Sequence, residues 1–278
     1  MTLSIAWIRK IHSCEELWFI SDSRLSGGAR TIDYCPKIFT LPRSDCAISF
    51  AGDTEFAYPF VYQCAMAIET YKPARTRSMD IKTLKTHIVK VINILASSIK
   101  SDFPDLALPE VEFIFGGYSW IEKQFKIWNI QYFEQRGQFG ATEVNGNHCM
   151  GMGKIAFAGD VAVRAKNTLF HVLKESATQT RGESLTQAQQ EGWGYRPFAA
   201  LRDLLRAPDK PYTIGGAPQI IKVYQHLNAV PMGVYWPNKE SGRITILGRP
   251  MLDYERTSVW IFDPDTYEGF KPEGRESF

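Results

Sequence analysis

Strand-like and helix-like segments follow one another in blocks along this chain of 278 residues. Short β-rich runs separated by turns fill the first fifty residues, and apolar positions then recur every three to four residues, as in amphipathic helices. Strand-like runs return after these helices, followed by further helices and then by strands. Because strands and helices are segregated and do not alternate as βαβ units, the pattern predicts an α+β fold.

The predicted elements pair into hairpins and helix pairs. Helices are predicted over residues 54–71, 80–100, 155–175 and 197–206. Strands are predicted over residues 4–8, 17–22, 37–41, 46–51, 111–118, 125–132, 138–142, 148–152, 220–224, 231–236, 243–247 and 259–262. Two sheets packed face to face, with a helix pair on each outer side, satisfy this order, so we expect a four-layer αββα sandwich.

Composition and charge exclude several classes of protein. The net charge is +2 and the basic residues are dispersed, so a nucleic-acid partner is not expected. No apolar run approaches the about 18–20 residues that cross a bilayer, and the N-terminus does not resemble a signal peptide, so no membrane contact is expected. The five cysteines are odd in number and include no C-x-x-C, which indicates reduced thiols in a cytoplasmic protein. The five histidines lack metal-ligand spacing, so we expect no metal and no cofactor.

Four residues at the ends of successive predicted strands form a candidate catalytic set. Thr2 precedes the first strand and Asp22, in Asp-Ser-Arg, closes the second. Lys37 opens the third strand and Gly52 closes the fourth. Each has an ordinary explanation alone: an incidental threonine, a turn-forming aspartate, a solvated lysine at an edge, a glycine at a turn. Their order along consecutive strands favours a functional interpretation.

This order resembles the β-type subunits of the proteasome and the bacterial protease HslV, which are N-terminal-nucleophile (Ntn) hydrolases. The resemblance is dense to about residue 72 and thinner afterwards. It continues through Met150–Gly153, before the third predicted helix, and Tyr212–Gly216, after the fourth. It implies a proteasome-like Ntn-hydrolase fold in a single domain over residues 1–278, with a core of about 2–225 and a strand-rich C-terminal extension of about 226–278.

The resemblance implies a mechanism whose requirements these residues meet. A threonine hydroxyl is a weak nucleophile and needs an adjacent base, and a free α-amino group with a pKa of about 7.7–8.0 can be that base. Thr2 would gain this amine on removal of Met1, so no autolytic propeptide is required. A buried Lys37 would lower the pKa of the hydroxyl, Asp22 would orient the lysine and keep it charged, and the Gly52 N–H would bind the oxyanion.

Further assignments follow from the same resemblance. Asp209 and Thr213, after the fourth predicted helix, map onto residues that support the terminal amine in the family. Lys154 departs from the family, in which a serine commonly occupies this place, and would lower the pKa of the amine if it pointed toward it. The substrate pocket is expected to be uncharged and to favour a small or apolar side chain. Its expected lining is Leu25, Cys35, Phe50 and Thr54.

The expected function is that of a threonine-type endopeptidase or amide hydrolase that acts through an acyl-enzyme on Thr2. The resemblance implies a peptide or protein substrate, homo-oligomers that form rings, and an unfoldase partner. Two alternatives remain open from the sequence. One is a non-catalytic, proteasome-like scaffold subunit, and the other is an Ntn amidase or acylase that acts on a small amide.

Overall fold

The computed structural model describes residues 2–12, 14–27, 29–100, 109–146, 152–179, 192–226, 228–240 and 242–272. In chain order the described strands are β1 (Ser4–Ile11), β2 (Cys14–Ser21), β3 (Leu25–Gly27), β4 (Arg30–Ile32), β5 (Ile38–Leu41), β6 (Arg43–Gly52), β7 (Val111–Ser119), β8 (Gln124–Phe133), β9 (Gln138–Glu143), β10 (Ile155–Ala158), β11 (Gln219–Tyr224), β12 (Ala229–Trp236), β13 (Arg243–Ile246), β14 (Arg249–Pro250), β15 (Ile261–Phe262) and β16 (Gly269–Phe270). The described helices are α1 (Thr54–Thr70), α2 (Lys72–Arg75), α3 (Ile81–Ser97), α4 (Ala162–Gln179) and α5 (Arg196–Arg206).

The strands form two large sheets and one small hairpin. The first sheet has the order β10-β1-β2-β11-β12-β13-β14, and β15 and β16 continue it from β12. The second sheet has the order β5-β6-β7-β8-β9, and β3 pairs with β4. Neighbouring strands are antiparallel throughout, apart from the parallel pair β12 and β15. The hairpin β1–β2 therefore lies inside the first sheet, with a partner on each side.

Both faces of β1 and β2 are buried, which explains their nearly continuous apolar sequence. Ile5, Trp7 and Ile20 point into a cluster shared with side chains of α4 and α5. Ala6 and Phe19 point to the opposite face, into a cluster shared with the second sheet. Because successive side chains in a strand face opposite sides, a strand buried on both faces cannot show polar–apolar alternation.

The expectation of a four-layer αββα sandwich is wrong for this chain. Strands make up 37% of the structure and helices 27%, and antiparallel sheet predominates, so the fold is β-rich. α1 and α3 pack on the second sheet, and α4 and α5 on the first. Strand content exceeds helix content because residues 219–270 contribute six strands, β11 to β16, and no helix among the described residues. These strands widen the first sheet from three strands to nine.

For most predicted elements of the first 145 residues, the predicted and observed bounds agree within a few residues. The main error lies after this region, at residues 155–158. Residues 155–158 form β10 and do not begin a helix. β10 pairs with β1, with Ala156 opposite Ala6, and α4 starts only at Ala162. The strand predicted over 148–152 lies almost wholly outside the described residues. Within the described part of the chain, no helix has both the length and the hydropathy needed to span a bilayer.

Candidate active site

Thr2, Asp22 and Lys37 meet in a buried cluster at one end of the β1–β2 hairpin. The Lys37 ammonium donates to Thr2 Oγ1 at 2.7 Å and to Asp22 Oδ1 at 2.9 Å. All three residues are at most 1% exposed. A lysine that is fully buried and bonded to both a carboxylate and a hydroxyl is costly to desolvate, so its place here indicates a specific role.

The Asp22 carboxylate has four donors, three of them backbone amides. Oδ1 accepts from Leu3 N–H at 3.2 Å as well as from Lys37, and Oδ2 accepts from Arg24 N–H at 3.1 Å and Gly215 N–H at 3.2 Å. The Leu3 carbonyl in turn accepts from Ser21 Oγ at 3.0 Å. The residue after Thr2 is thus held on both its amide and its carbonyl by the end of β2.

Burial acts on the ionisation of this pair in opposite directions. It raises the pKa of Asp22 and lowers the pKa of Lys37, because both charged forms lose hydration. The attraction between the two groups opposes both shifts. The backbone donors on Asp22 further favour its carboxylate form. We therefore treat the site as an ion pair whose lysine releases its proton more easily than a solvated lysine does.

Gln219, the first residue of β11, forms hydrogen bonds with both of the segments that carry Asp22 and Lys37. Its Oε1 accepts from Lys37 N–H at 2.9 Å, and its Nε2 donates to Cys35 O at 2.7 Å and to Asp22 O at 3.2 Å. Its side chain is fully buried. The sequence analysis missed this residue, because a glutamine at the start of a strand carries no local signal that it will meet Asp22 and Lys37.

The segment over residues 212–216 reaches the site through its backbone. Gly215 N–H donates to Asp22, and Gly215 O accepts from Ser23 N–H at 3.0 Å. Thr213 is half-buried beside this contact. Asp209 lies elsewhere, because its side chain is 77% exposed and pairs with Arg164 at 3.6 Å. The structure therefore brings the predicted segment to the site but leaves Asp209 in solvent.

A cavity of about 890 Å³ is lined in part by Gly159 and Asp160, the turn that contacts the Thr2 carbonyl, while Thr2 itself is buried and does not line it. Of the predicted residues, Leu25, Gly52 and Thr54 lie on its wall. Gly159 also lines it, with φ +102°, and any Cβ at this position would overlap the carbonyl oxygen of Thr2. This close approach requires glycine and places one wall of the cavity against the backbone carbonyl of Thr2. The remaining lining is Ser26, Gly27, Ala51, Asp53, Pro109, Glu110, Val111, Glu112, Gln131, Tyr132, Glu134 and Asp160.

Two predicted pocket residues lie outside this cavity wall. Phe50 is fully buried and stacks on Phe39, with ring centroids 6.2 Å apart, so its ring belongs to the core of the second sheet. Cys35 is half-buried, and burial raises the pKa of its thiol. Both residues come from strands or turns near the site, but neither lines the cavity.

Lys154 is remote from Thr2. Its carbonyl accepts from Ile8 N–H, six residues along β1 from Thr2, which is about 20 Å in an extended strand. Its ammonium donates to Phe125 O at 2.9 Å and Gln124 Oε1 at 3.3 Å. The turn that does contact Thr2 is Gly159–Asp160, after β10. Of the segment Met150–Gly153, singled out from the sequence, the first two residues lie outside the described residues.

No protein-family model matches this sequence, and no curated protein matches it. Among the described residues, no three His, Cys, Asp or Glu side chains converge as a metal site.

Proposed function

We propose that this protein is a threonine-type hydrolase that cleaves peptide or other amide bonds with Thr2 as the N-terminal nucleophile, the activity that the resemblance to proteasome β-type subunits and HslV implies. The observation that carries the proposal is the buried chain of hydrogen bonds from Asp22 through the Lys37 ammonium to Thr2 Oγ1. A hydroxyl that accepts a hydrogen bond from an ammonium ion has a lowered pKa, because its alkoxide form is stabilised.

The proposed reaction begins once the chain preceding Thr2 is removed and Thr2 has a free α-amine. The amine takes the proton of Oγ1, and the oxygen attacks the carbonyl carbon of the substrate. The tetrahedral intermediate collapses, the C–N bond breaks, and the leaving amine takes the proton from the α-ammonium group. The same amine then deprotonates a water molecule, which hydrolyses the ester on Thr2 and releases the acid.

The neighbouring residues have distinct proposed roles. Lys37 stabilises the developing alkoxide, and Asp22 holds Lys37 while fixing the backbone at Leu3. Gly52 lies on the cavity wall at the end of β6, with φ +106°, and is the proposed oxyanion donor. A cavity of about 890 Å³ that is open to solvent is large enough for a side chain of a peptide, which favours the endopeptidase role over an amidase for a small amide.

Two further parts of the proposal concern assembly and compartment. We propose that the chain forms homo-oligomers of the ring type and receives protein substrates from an unfoldase, as the resemblance implies. The described cysteines Cys14, Cys35, Cys46 and Cys64 are all free thiols, which supports a reducing, cytoplasmic compartment. Native mass spectrometry of the purified protein tests the assembly.

Mass spectrometry and covalent labelling test the catalytic proposal. We expect the intact mass of the purified protein to show Thr2 as the first residue. We expect an epoxyketone or β-lactone probe to add once, at Thr2, and Thr2→Ala to abolish the addition. Thr31→Ala is the matched control, because Thr31 is an exposed threonine on β4. A chain that retains Met1 and resists both probes would instead establish the non-catalytic scaffold.

A further inference from the structure

The cavity beside Thr2 has a strongly acidic wall. Five carboxylates line it, contributed by four separate parts of the chain, and none of the lining residues that the structure describes is Lys, Arg or His. The carboxylates are Asp53, Glu110, Glu112, Glu134 and Asp160. This lining differs from the uncharged lining expected from Leu25, Cys35, Phe50 and Thr54, of which only Leu25 and Thr54 lie on this wall. Most of the carboxylates come from strands and turns that are distant from these residues in sequence.

Among the residues that the structure describes, these carboxylates have no cationic partner. In the described parts of the chain, none of the five lies within 4 Å of a lysine, arginine or histidine nitrogen. Asp53 caps α1 by accepting from Glu55 N–H at 2.9 Å, and Glu112 accepts from Gly159 N–H at 2.6 Å. Lys37 is within electrostatic range of Asp160, but it is already paired with Asp22. The negative charge of the cavity is therefore largely uncompensated.

Glu112 is hydrogen-bonded to the turn that contacts Thr2. It is half-buried on β7, and its hydrogen bond to Gly159 joins it to the turn that touches the Thr2 carbonyl. Burial raises its pKa, and the negative charge of Asp160 raises it further. A bound cation would oppose both increases in the pKa of Glu112, because it would stabilise the carboxylate form.

The shape of the cavity distinguishes an organic cation from a metal ion. The carboxylates are spread around about 890 Å³, and no three acidic, histidine or cysteine side chains among the described residues converge on one point. Metal sites require such convergence at 2–2.6 Å. A lysine or arginine side chain, by contrast, carries its charge on a long apolar stem and suits a cavity that also includes Leu25 and Val111.

We infer that this cavity binds a cationic side chain of the substrate, so that the enzyme cleaves next to lysine or arginine. As a statement of substrate class, the inference rests on the proposed function. Negative potential focused in a cleft also attracts such substrates and repels acidic ones.

Three matched peptides test the inference. Fluorogenic amides that differ only in carrying lysine, norleucine or glutamate before the scissile bond have similar length and different charge. We expect kcat/KM for the lysine peptide to exceed that for norleucine by about tenfold, with the glutamate peptide slowest, and salt to reduce the difference. Equal or faster cleavage of norleucine or glutamate would overturn the inference and leave the proposed function intact.

Charge-neutral variants locate the effect. Glu112→Gln keeps an oxygen for the Gly159 N–H, and Asp53→Asn keeps a residue that caps a helix well. We expect each to reduce the ratio of kcat/KM for the lysine peptide to kcat/KM for the norleucine peptide by about threefold to fivefold, which is the contribution of one partly screened charge pair. Glu55→Gln, an exposed position on the first turn of α1 outside the cavity wall, is the control. An unchanged preference in both cavity variants would overturn the inference.

A binding measurement separates failure of this inference from failure of the proposed function. Fluorescence anisotropy with the same peptides on the Thr2→Ala variant requires no catalysis. Tighter binding of the lysine peptide, weakened by Glu112→Gln, supports a cation-binding cavity even if no probe labels the wild-type protein. Equal binding of the three peptides overturns it, whether or not Thr2 is labelled.

Discussion

Lys37 illustrates how a buried charge depends on its partner. Its ammonium and the Asp22 carboxylate are both inaccessible to solvent, and each removes the cost of burying the other. We expect Lys37→Met to lower the free energy of unfolding by about 3–5 kcal/mol, because it leaves Asp22 buried without a cation. Asp22→Asn combined with Lys37→Met removes both charges, so we expect the double variant to recover much of that loss while remaining unlabelled by the probe.

Urea unfolding followed by fluorescence, together with probe labelling, measures these two effects separately. Recovered stability with no recovered labelling is the expected signature of a pair that serves catalysis. Full labelling of Lys37→Met would show that the ammonium contributes only to folding. The wild-type protein and Thr31→Ala provide the references for both measurements.

The pH dependence of labelling reports on two ionisations at Thr2 and Lys37. The proposed mechanism needs a neutral α-amine, so the rate should rise as pH passes through about 7.7–8.0. It also needs a charged Lys37, and burial lowers the pKa of this lysine from its ordinary value of 10.5. We therefore expect the rate to fall again at a pH below 10.5. A rate that keeps rising beyond pH 10.5 would contradict the role of Lys37.

At the scale of elements, the glycine turn between α5 and β11 supports the site. Gly216 has φ +70°, and a Cβ there would overlap Ser23 Oγ and Asp33 O. Gly194 has φ +55°, but no atom lies within 4 Å of its Cβ position. Both alanine variants incur the cost of a left-handed residue, about 1–2 kcal/mol. We expect Gly216→Ala to lower the free energy of unfolding by at least about 2 kcal/mol more than Gly194→Ala does, because a rotamer change cannot relieve overlap with the backbone.

Labelling distinguishes these two variants further. Gly216 adjoins Gly215, whose N–H donates to Asp22, so a shift of this turn should slow labelling of Thr2 in Gly216→Ala. Thermal unfolding and labelling at a temperature where both variants are folded provide the readouts. Similar stability and similar labelling of the two variants would mean that the turn does not position Asp22.

The sequence predicts elements well where local signals are strong. Helix α1 begins where Asp53 caps it, and α3 begins after Asp80, whose carboxylate accepts from Lys82 N–H. Residues 155–158 were misassigned because a short apolar run that precedes a helix has no period of its own. β10 forms a strand only because β1 offers it an antiparallel partner, a long-range contact that no local pattern encodes.

Some residues of the candidate site could be predicted from the sequence and others could not, for the same reason. Thr2, Asp22 and Lys37 were predictable together because they lie at the ends of predicted strands within the first 37 residues of the sequence. Gln219 and Glu112 were not, since β11 and β7 reach the site only through sheet pairing and packing. The two sheets bring distant strands together, and a linear pattern cannot show which of their polar residues will face the cavity.

At the scale of the whole molecule, the C-terminal strands complete the sheet that holds the site. β12 pairs with β11, and β15 places Phe262 in the cluster beneath the first sheet. Phe262 is 1% exposed and meets Trp18 and Phe198 at ring-centroid distances of 5.6 and 5.0 Å. Because Trp18 lies on β2, this aromatic contact links the end of the chain to the strand that leads to Asp22.

Replacement of Phe262 tests whether these strands belong to the same cooperative core. We expect Phe262→Ala to lower the free energy of unfolding by about 3–5 kcal/mol, from lost burial and the cavity left behind. Leu252→Ala, at a half-exposed position in the same region, should change it by less than about 0.5 kcal/mol. Labelling of the folded variant should keep its wild-type rate, since Phe262 touches no residue of the Thr2 cluster. A small effect on unfolding would show that β15 is stabilised independently of β2, because removal of a shared core residue must otherwise weaken both.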